Sequence, residues 1–338
     1  MFPRRPILIL LSVVALCGPL LAQLTPKQKA ENLESFELIW RTVRDRHPDP
    51  KLNGLNWQAI HDATKPAVEN AQTMEEARRI LRDMIGKLEV SHFAVVPSEA
   101  YTSDAYRGTA ATVESAPVAQ PGAISGAISD KTVRFGNLPE THVVFESRAL
   151  PDSAGYIRFN EFLDPGSMMP KFEAALKTFA KAPGVILDLR GNPGGIGIMA
   201  MGIAGFFIDK SGLKLGDMKM RDATLKFVIF PRPETYAGPL AILVDGGSAS
   251  TSEILAGGLQ DLKRARIFGT RTAGAALPSD IIRLPNGDGF QYPQAIYTSV
   301  SGKVLEGAGV SPDVIVPQSA GPDAVIQAAD EWIRSTRH

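Results

Sequence analysis

Cysteine is almost absent from this 338-residue chain, with Cys17 the single example. It lies in the apolar stretch Pro6–Leu21, which follows the arginines of Met1–Arg5 and ends beside Ala22. A charged start, a short apolar run and a small residue read as a secretory signal over residues 1–22. The run is at the short end of what crosses a bilayer, so a retained anchor is the weaker reading. Leu16 is bulkier than a lipid-attachment site prefers, which makes lipid anchoring at Cys17 the minority expectation. Cleavage after Ala22 leaves no thiol, and so no disulfide, cysteine nucleophile or thiolate metal site. The expected location is periplasmic or extracellular.

An excess of either charge is missing too. The chain has 36 basic and 36 acidic residues, and losing Arg4 and Arg5 with the signal takes the basic count to 34. No basic stretch suggests nucleic acid, and no second apolar run suggests a transmembrane pass. His47 sits in a Pro-rich turn, His61 on a helix, His142 in a strand and His338 at the terminus. None pairs at His-x-x-x-His spacing, so neither a metal nor another cofactor is expected. With 44% apolar and 21% charged residues, the composition is that of an ordinary globular protein.

What remains is an alternation of elements. Residues 23–97 read as a helical N-terminal segment. Phe36, Ile39, Trp40 and Val43 fall at helical spacing, Trp57 begins a second helix, and Thr73-Met74-Glu75-Glu76 opens a third with a capping box. Ser91–Val96 then reads as a short strand. Residues 98–149 are rich in Ala, Gly, Pro, Ser and Thr and read as a linker with short strands. Residues 150–338 alternate strand, turn and helix, the pattern of an α/β domain. Gly184–Leu189 and Pro239–Asp245 are buried parallel strands on this reading, each running into a Gly-rich turn and a helix.

The two turns carry the candidate chemistry. Gly246-Gly247-Ser248-Ala249-Ser250-Thr251-Ser252-Glu253 places serines where a strand meets a helix N-terminus. There the free N–H groups favour developing negative charge. Ser250-x-x-Glu253 fits a capping box equally well, so the local pattern leaves capping and catalysis open. In Leu189-Arg190-Gly191-Asn192-Pro193-Gly194-Gly195, adjacent glycines let backbone N–H groups approach a substrate carbonyl, though a plain tight turn explains the motif as well. Two such turns in one sheet favour a composite site.

These two motifs, with Leu305-Glu306-Gly307-Ala308-Gly309-Val310-Ser311-Pro312-Asp313, resemble the tail-specific or C-terminal processing serine peptidases. The resemblance implies a ClpP/crotonase-like catalytic domain acting on a peptide or protein substrate. It implies Ser250 as nucleophile, with oxyanion donors from the backbone of Gly194 or Gly195 and of Thr251. One branch of that family uses a lysine 25 residues after the serine. Here Ala275 holds that place, Arg266–Gly302 contains no lysine, and Asp261 lacks the partner it has in that branch. Ser91-His92 instead resembles the Ser-His dipeptide of the tricorn core protease branch, which implies a tetrad of Ser91, His92, Ser250 and Glu306. Imidazole is a suitable base for a serine hydroxyl near neutral pH.

Many such peptidases insert a PDZ domain before the catalytic core. Pro97–Ala154 is short and lacks an apolar-Gly-apolar carboxylate loop, so a complete PDZ domain is not expected. Two other functions use the same scaffold, a non-catalytic ligand-binding protein and an ester or amide hydrolase. The presence together of Ser250, His92, Glu306 and the paired glycines argues against the first.

Overall fold

The computed structural model describes residues 23–101, 127–134, 136–150, 154–321 and 323–336, the side chains of 127–129 excepted. The expected signal, and residues 102–126 and 135 of the expected linker, lie outside them.

Three helices open the described chain, α1 (Pro26–Arg46), α2 (Trp57–Asn70) and α3 (Met74–Gly86). Thr25 and Gln28 form a reciprocal cap on α1. At α3 the Thr73 hydroxyl accepts the Glu76 N–H, but Glu76 reaches back to the Gln72 N–H at 2.8 Å rather than to Thr73. The expected capping box is therefore shifted by one residue on its acidic side. Ala77, Ile80, Leu81, Met84 and Ile85 are buried, as their helical spacing requires.

The chain then turns at Ser91-His92, with His92 at φ 64°, and only β1 (Ala94–Val96) is a strand. A strand from Ser91 was expected. The left-handed backbone at His92 cannot continue a pleated ladder.

The remaining elements follow in order. They are β2 (Ala127–Val133), β3 (Thr141–Ala149), β4 (Gly155–Phe159), α4 (Pro165–Thr178), β5 (Val185–Asp188) and α5 (Gly197–Ala204). Next come β6 (Lys214–Met220), β7 (Thr224–Val228), β8 (Leu240–Val244), α6 (Thr251–Asp261) and β9 (Arg266–Gly269). Strands β10 (Ser279–Arg283), β11 (Gly289–Pro293), β12 (Ala295–Ser299) and β13 (Val314–Ile315) precede α7 (Ala324–Ser335).

A seven-stranded sheet in the order β13-β9-β8-β5-β4-β3-β2 forms the centre of the mixed α/β fold. Pairing is parallel from β13 to β4 and antiparallel at β3 and β2. The sheet thus includes β2 and β3, which precede residue 150, where the catalytic domain was expected to start. On one face α4, α5 and α6 enclose Phe159, Phe172, Leu187 and Ile242. On the other, Val325, Ala329 and Ile333 of α7 cover Ile186, Leu243 and Phe268. Strands β6 and β7, not anticipated from sequence, pair with β12 in a separate sheet. Lys-Leu-Gly-Asp-Met-Lys-Met lacks the strict alternation that marks a strand.

The helical segment packs on a third sheet, β1-β11-β10. Asp288, wholly buried, holds the junction through two bonds from Arg78 of α3 and one from the Ser98 N–H. Such a charge is tolerable inside only because its oxygens are paired. The junction fixes the chain just beyond His92.

Candidate active site

Strands β5 and β8 are neighbours, so their C-terminal turns meet. Asn192, wholly buried, knits them together. Its side chain donates to the Phe159 carbonyl and accepts the Gly194 N–H, while its own carbonyl accepts the Ala249 N–H and the Ser252 hydroxyl. Ser248, also buried, donates to the Leu189 carbonyl at 2.7 Å and accepts the Asp245 N–H at 3.0 Å. Two of the three clustered serines are therefore occupied in joining the turns. Ser248→Ala and Ser252→Ala should each cost about 1–3 kcal/mol of stability, because each strands a buried polar partner. Urea unfolding is the check, and reaction of Ser250 with an acylating probe should survive in both variants.

Ser250 lies between those two serines, half-buried, at φ 53° and ψ −115°. A non-glycine residue at such angles is held there by its surroundings. Those surroundings are visible. The Ser250 N–H donates to the Ala275 carbonyl at 2.8 Å and to Glu253 Oε2 at 3.0 Å. Glu253 is fully buried and also accepts the Thr272 hydroxyl and the N–H groups of Gly274 and Ala275. Glu253 thus fastens segment 272–275 to the serine turn. Sequence reading saw it only as a capping partner, because the segment it grips is remote in sequence.

The glycines divide the work of the turn. Phe162 forms a parallel bridge with Gly195, its N–H donating to the Gly194 carbonyl and its carbonyl accepting from Ile196. This pairing directs the Gly195 N–H and C=O to the opposite side, where the Gly195 carbonyl accepts the Thr251 hydroxyl at 2.8 Å. The Gly194 N–H is engaged by Asn192, whereas those of Gly195 and Thr251 make no hydrogen bond among the described residues. Glycine is required at both positions. A Cβ on Gly194, at φ 101°, would lie 2.8 Å from the Ser250 Cβ and the Thr251 nitrogen. One on Gly195, at φ 137°, would lie 2.5 Å from the Phe162 carbonyl oxygen.

Ser91, His92 and Glu306 are brought together across 215 residues of sequence. The Glu306 carboxylate accepts the Ser91 N–H at 2.8 Å, the Ser91 hydroxyl at 2.9 Å and the Ala276 N–H at 3.0 Å. The Ser91 oxygen lies 2.6 Å from His92 Nδ1. An ionised carboxylate only accepts, so the single Ser91 proton points to Glu306. Ser91 Oγ then accepts from a protonated Nδ1, which leaves the lone pair on Nε2. Burial holds the His92 imidazole below its usual pKa, against the opposing pull of the Glu306 charge. Segment 275–276 links the halves, Ala275 to Ser250 and Ala276 to Glu306. No hydrogen bond joins His92 to Ser250 in this structure.

Among the described residues no cluster of His, Cys, Asp and Glu could hold a metal, and no helix is long and apolar enough to cross a membrane. Asp261 lies at the far end of α6 and accepts the Ser301 N–H, outside the site.

The fold is a mixed α/β one, with N-terminal helices and a central sheet. Residues 153–316 match the model of peptidase family S41, and residues 28–86 that of the tricorn protease C1 domain. The chain therefore carries an S41 peptidase domain preceded by a tricorn C1 domain. It is 35% identical over 176 residues to a carboxy-terminal-processing protease of Bartonella bacilliformis, covering 48% of this chain and 39% of that one. Against a chloroplastic C-terminal processing peptidase of Tetradesmus obliquus it is 34% identical over 176 residues, covering 49% and 37%. The match thus spans about two fifths of the length of these relatives. The fold is shared with the photosystem II D1 C-terminal processing protease, at TM-score 0.57 and 20% identity over 90% of this chain and 97% of that one. It is also shared with the tricorn protease, at TM-score 0.57 and 14% identity over 92% and 37%.

Proposed function

We propose that this chain is a serine-type peptidase that cleaves peptide bonds through an acyl-enzyme on Ser250, with His92 as general base. The observation that carries this reading is the placement of Ser250 beside the unpaired N–H groups of Gly195 and Thr251, at the positive end of α6. Donors fixed where an oxyanion will form need no rearrangement during the reaction. The α6 dipole adds to the same stabilisation.

In the proposed reaction Ser250 Oγ attacks the scissile carbonyl and passes its proton to His92 Nε2. The carbonyl oxygen takes up the Gly195 and Thr251 N–H groups, the Gly194 amide being already committed. Collapse of the tetrahedral intermediate expels the amine, which receives the proton from His92. Water repeats the sequence to release the acyl group. Ser91 and Glu306 hold the imidazole in the required tautomer and stabilise its cation. Substrate binding has to bring His92 within hydrogen-bond reach of Ser250, a tightening common between free and occupied active sites.

A fluorophosphonate probe on the purified protein tests the nucleophile. Ser250 should be labelled, and labelling of Ser248 or Ser252 instead would sink the assignment. A peptide library and an ester panel then separate peptidase from esterase. Gly195→Ala should lower kcat on the order of a hundredfold, because its Cβ opens the Phe162 bridge and displaces the amide. Unchanged kcat in a folded variant would remove Gly195 from the oxyanion site. The enzyme is proposed to act after export, and N-terminal sequencing of secreted material should then begin near Gln23.

A further inference from the structure

The peptidase mechanism leaves one acidic group beside the site without a role. Glu161 follows β4 and directly precedes Phe162, the residue bridged to Gly195. Its neighbours fix its direction. Asn160 is turned back onto β3, accepting the Val144 N–H at 2.7 Å and donating to the His142 carbonyl at 2.8 Å. The Phe162 ring is wholly buried and meets Phe159 edge-on, with centroids 4.8 Å apart. Successive side chains of an extended segment leave on opposite faces. The Glu161 carboxylate is therefore directed away from that core, one peptide from the isolated bridge that orients Gly195.

Glu161 is half-buried and forms no hydrogen bond or ion pair with any described residue. Burial with nothing to offset it pushes its carboxyl up to about 7. Three nearby carboxylates among the described residues are instead well supplied with donors. Asp188 is bound by Tyr156 and Arg190, Glu253 holds four donors, and Glu306 holds three. A desolvated carboxylate with no partner among the described residues is suited to one that arrives with a ligand.

Resting on the peptidase reading, we propose that Glu161 selects the substrate, receiving a lysine or arginine side chain of a peptide close to its scissile bond. A cationic side chain supplies the hydrogen-bond donors and the opposite charge that the carboxylate lacks. A neutral or acidic residue at that position leaves it unpaired or repelled.

The test is a positional scanning peptide library read as kcat/KM, run on the full protein and on Glu161→Gln, with Ser250 labelling followed in parallel. The unaltered protein should favour Lys or Arg at one position. Glu161→Gln should lose about ten- to hundredfold in kcat/KM on that peptide. It should stay within about twofold on a peptide with a neutral residue there, and label at Ser250 at the normal rate. Glu161→Arg should shift the preference towards acidic residues. An equal loss on every peptide, or an unchanged preference profile in Glu161→Gln, overturns the assignment. Failure of the unaltered protein to label or to cleave any peptide overturns the peptidase reading itself, and this assignment with it.

Discussion

Ser250→Ala should lose peptidase activity by roughly a million-fold, the scale on which removing a serine nucleophile acts. The structure explains why neither neighbour can substitute. The Ser248 hydroxyl is donated to the Leu189 carbonyl and the Ser252 hydroxyl to the Asn192 carbonyl, both in buried positions. Folding should be barely affected, because the turn is held by backbone bonds from Ser250 and by the Glu253 network, which alanine retains. The residual rate, set by the oxyanion donors and binding alone, should still exceed that in water. Measuring kcat beside a thermal melt separates the two effects. Substantial turnover by folded Ser250→Ala would show that another group attacks the substrate.

The second large effect is expected at His92, and its pH dependence is as informative as its size. His92→Ala should lower kcat by several orders of magnitude, since the serine proton then has no positioned acceptor. An imidazole base works only when neutral. Burial lowers the His92 pKa, so activity should persist below the usual imidazole value of about 6.5 and fall only as pH drops further. The same shift acts on stability with a definite sign. As pH falls below about 6.5 the unfolded chain binds the proton first, so stability declines until the folded-state pKa is passed. Glu306→Gln weakens the pull that opposes burial and should move the kinetic pKa lower still. It should cost less in kcat than His92→Ala, because Glu306 carries no proton in the reaction. A kcat/KM profile against pH, recorded for the unaltered protein and for Glu306→Gln, is the measurement. Full activity in folded His92→Ala would leave the chain without a base.

Much of this site was legible in the sequence, for reasons that differ from residue to residue. The serine cluster and the glycines could be read as candidates because a strand, a Gly-rich turn and a helix N-terminus are local patterns, but the choice of Ser250 over a mere cap came from the resemblance. Ala275 was equally readable, since one missing lysine excludes one base. His92 and Glu306 were reached through resemblance, as nothing local distinguishes them from a structural histidine and a turn glutamate. Glu253 was seen as half of a cap, while its grip on residues 272–275 was invisible.

The sequence by itself determined the strand-turn-helix alternation, the absence of thiol chemistry from residue 23 onward and the identity of the serine cluster, because each depends on residues near one another along the chain. Only the tertiary structure decided which serines are tied up, which glycine keeps a free amide, and that Ser91 stands between Glu306 and the His92 imidazole. Those outcomes depend on which hydrogen-bond partners distant segments bring to the same place. A buried donor or acceptor satisfied from across the fold leaves no periodicity or spacing to read.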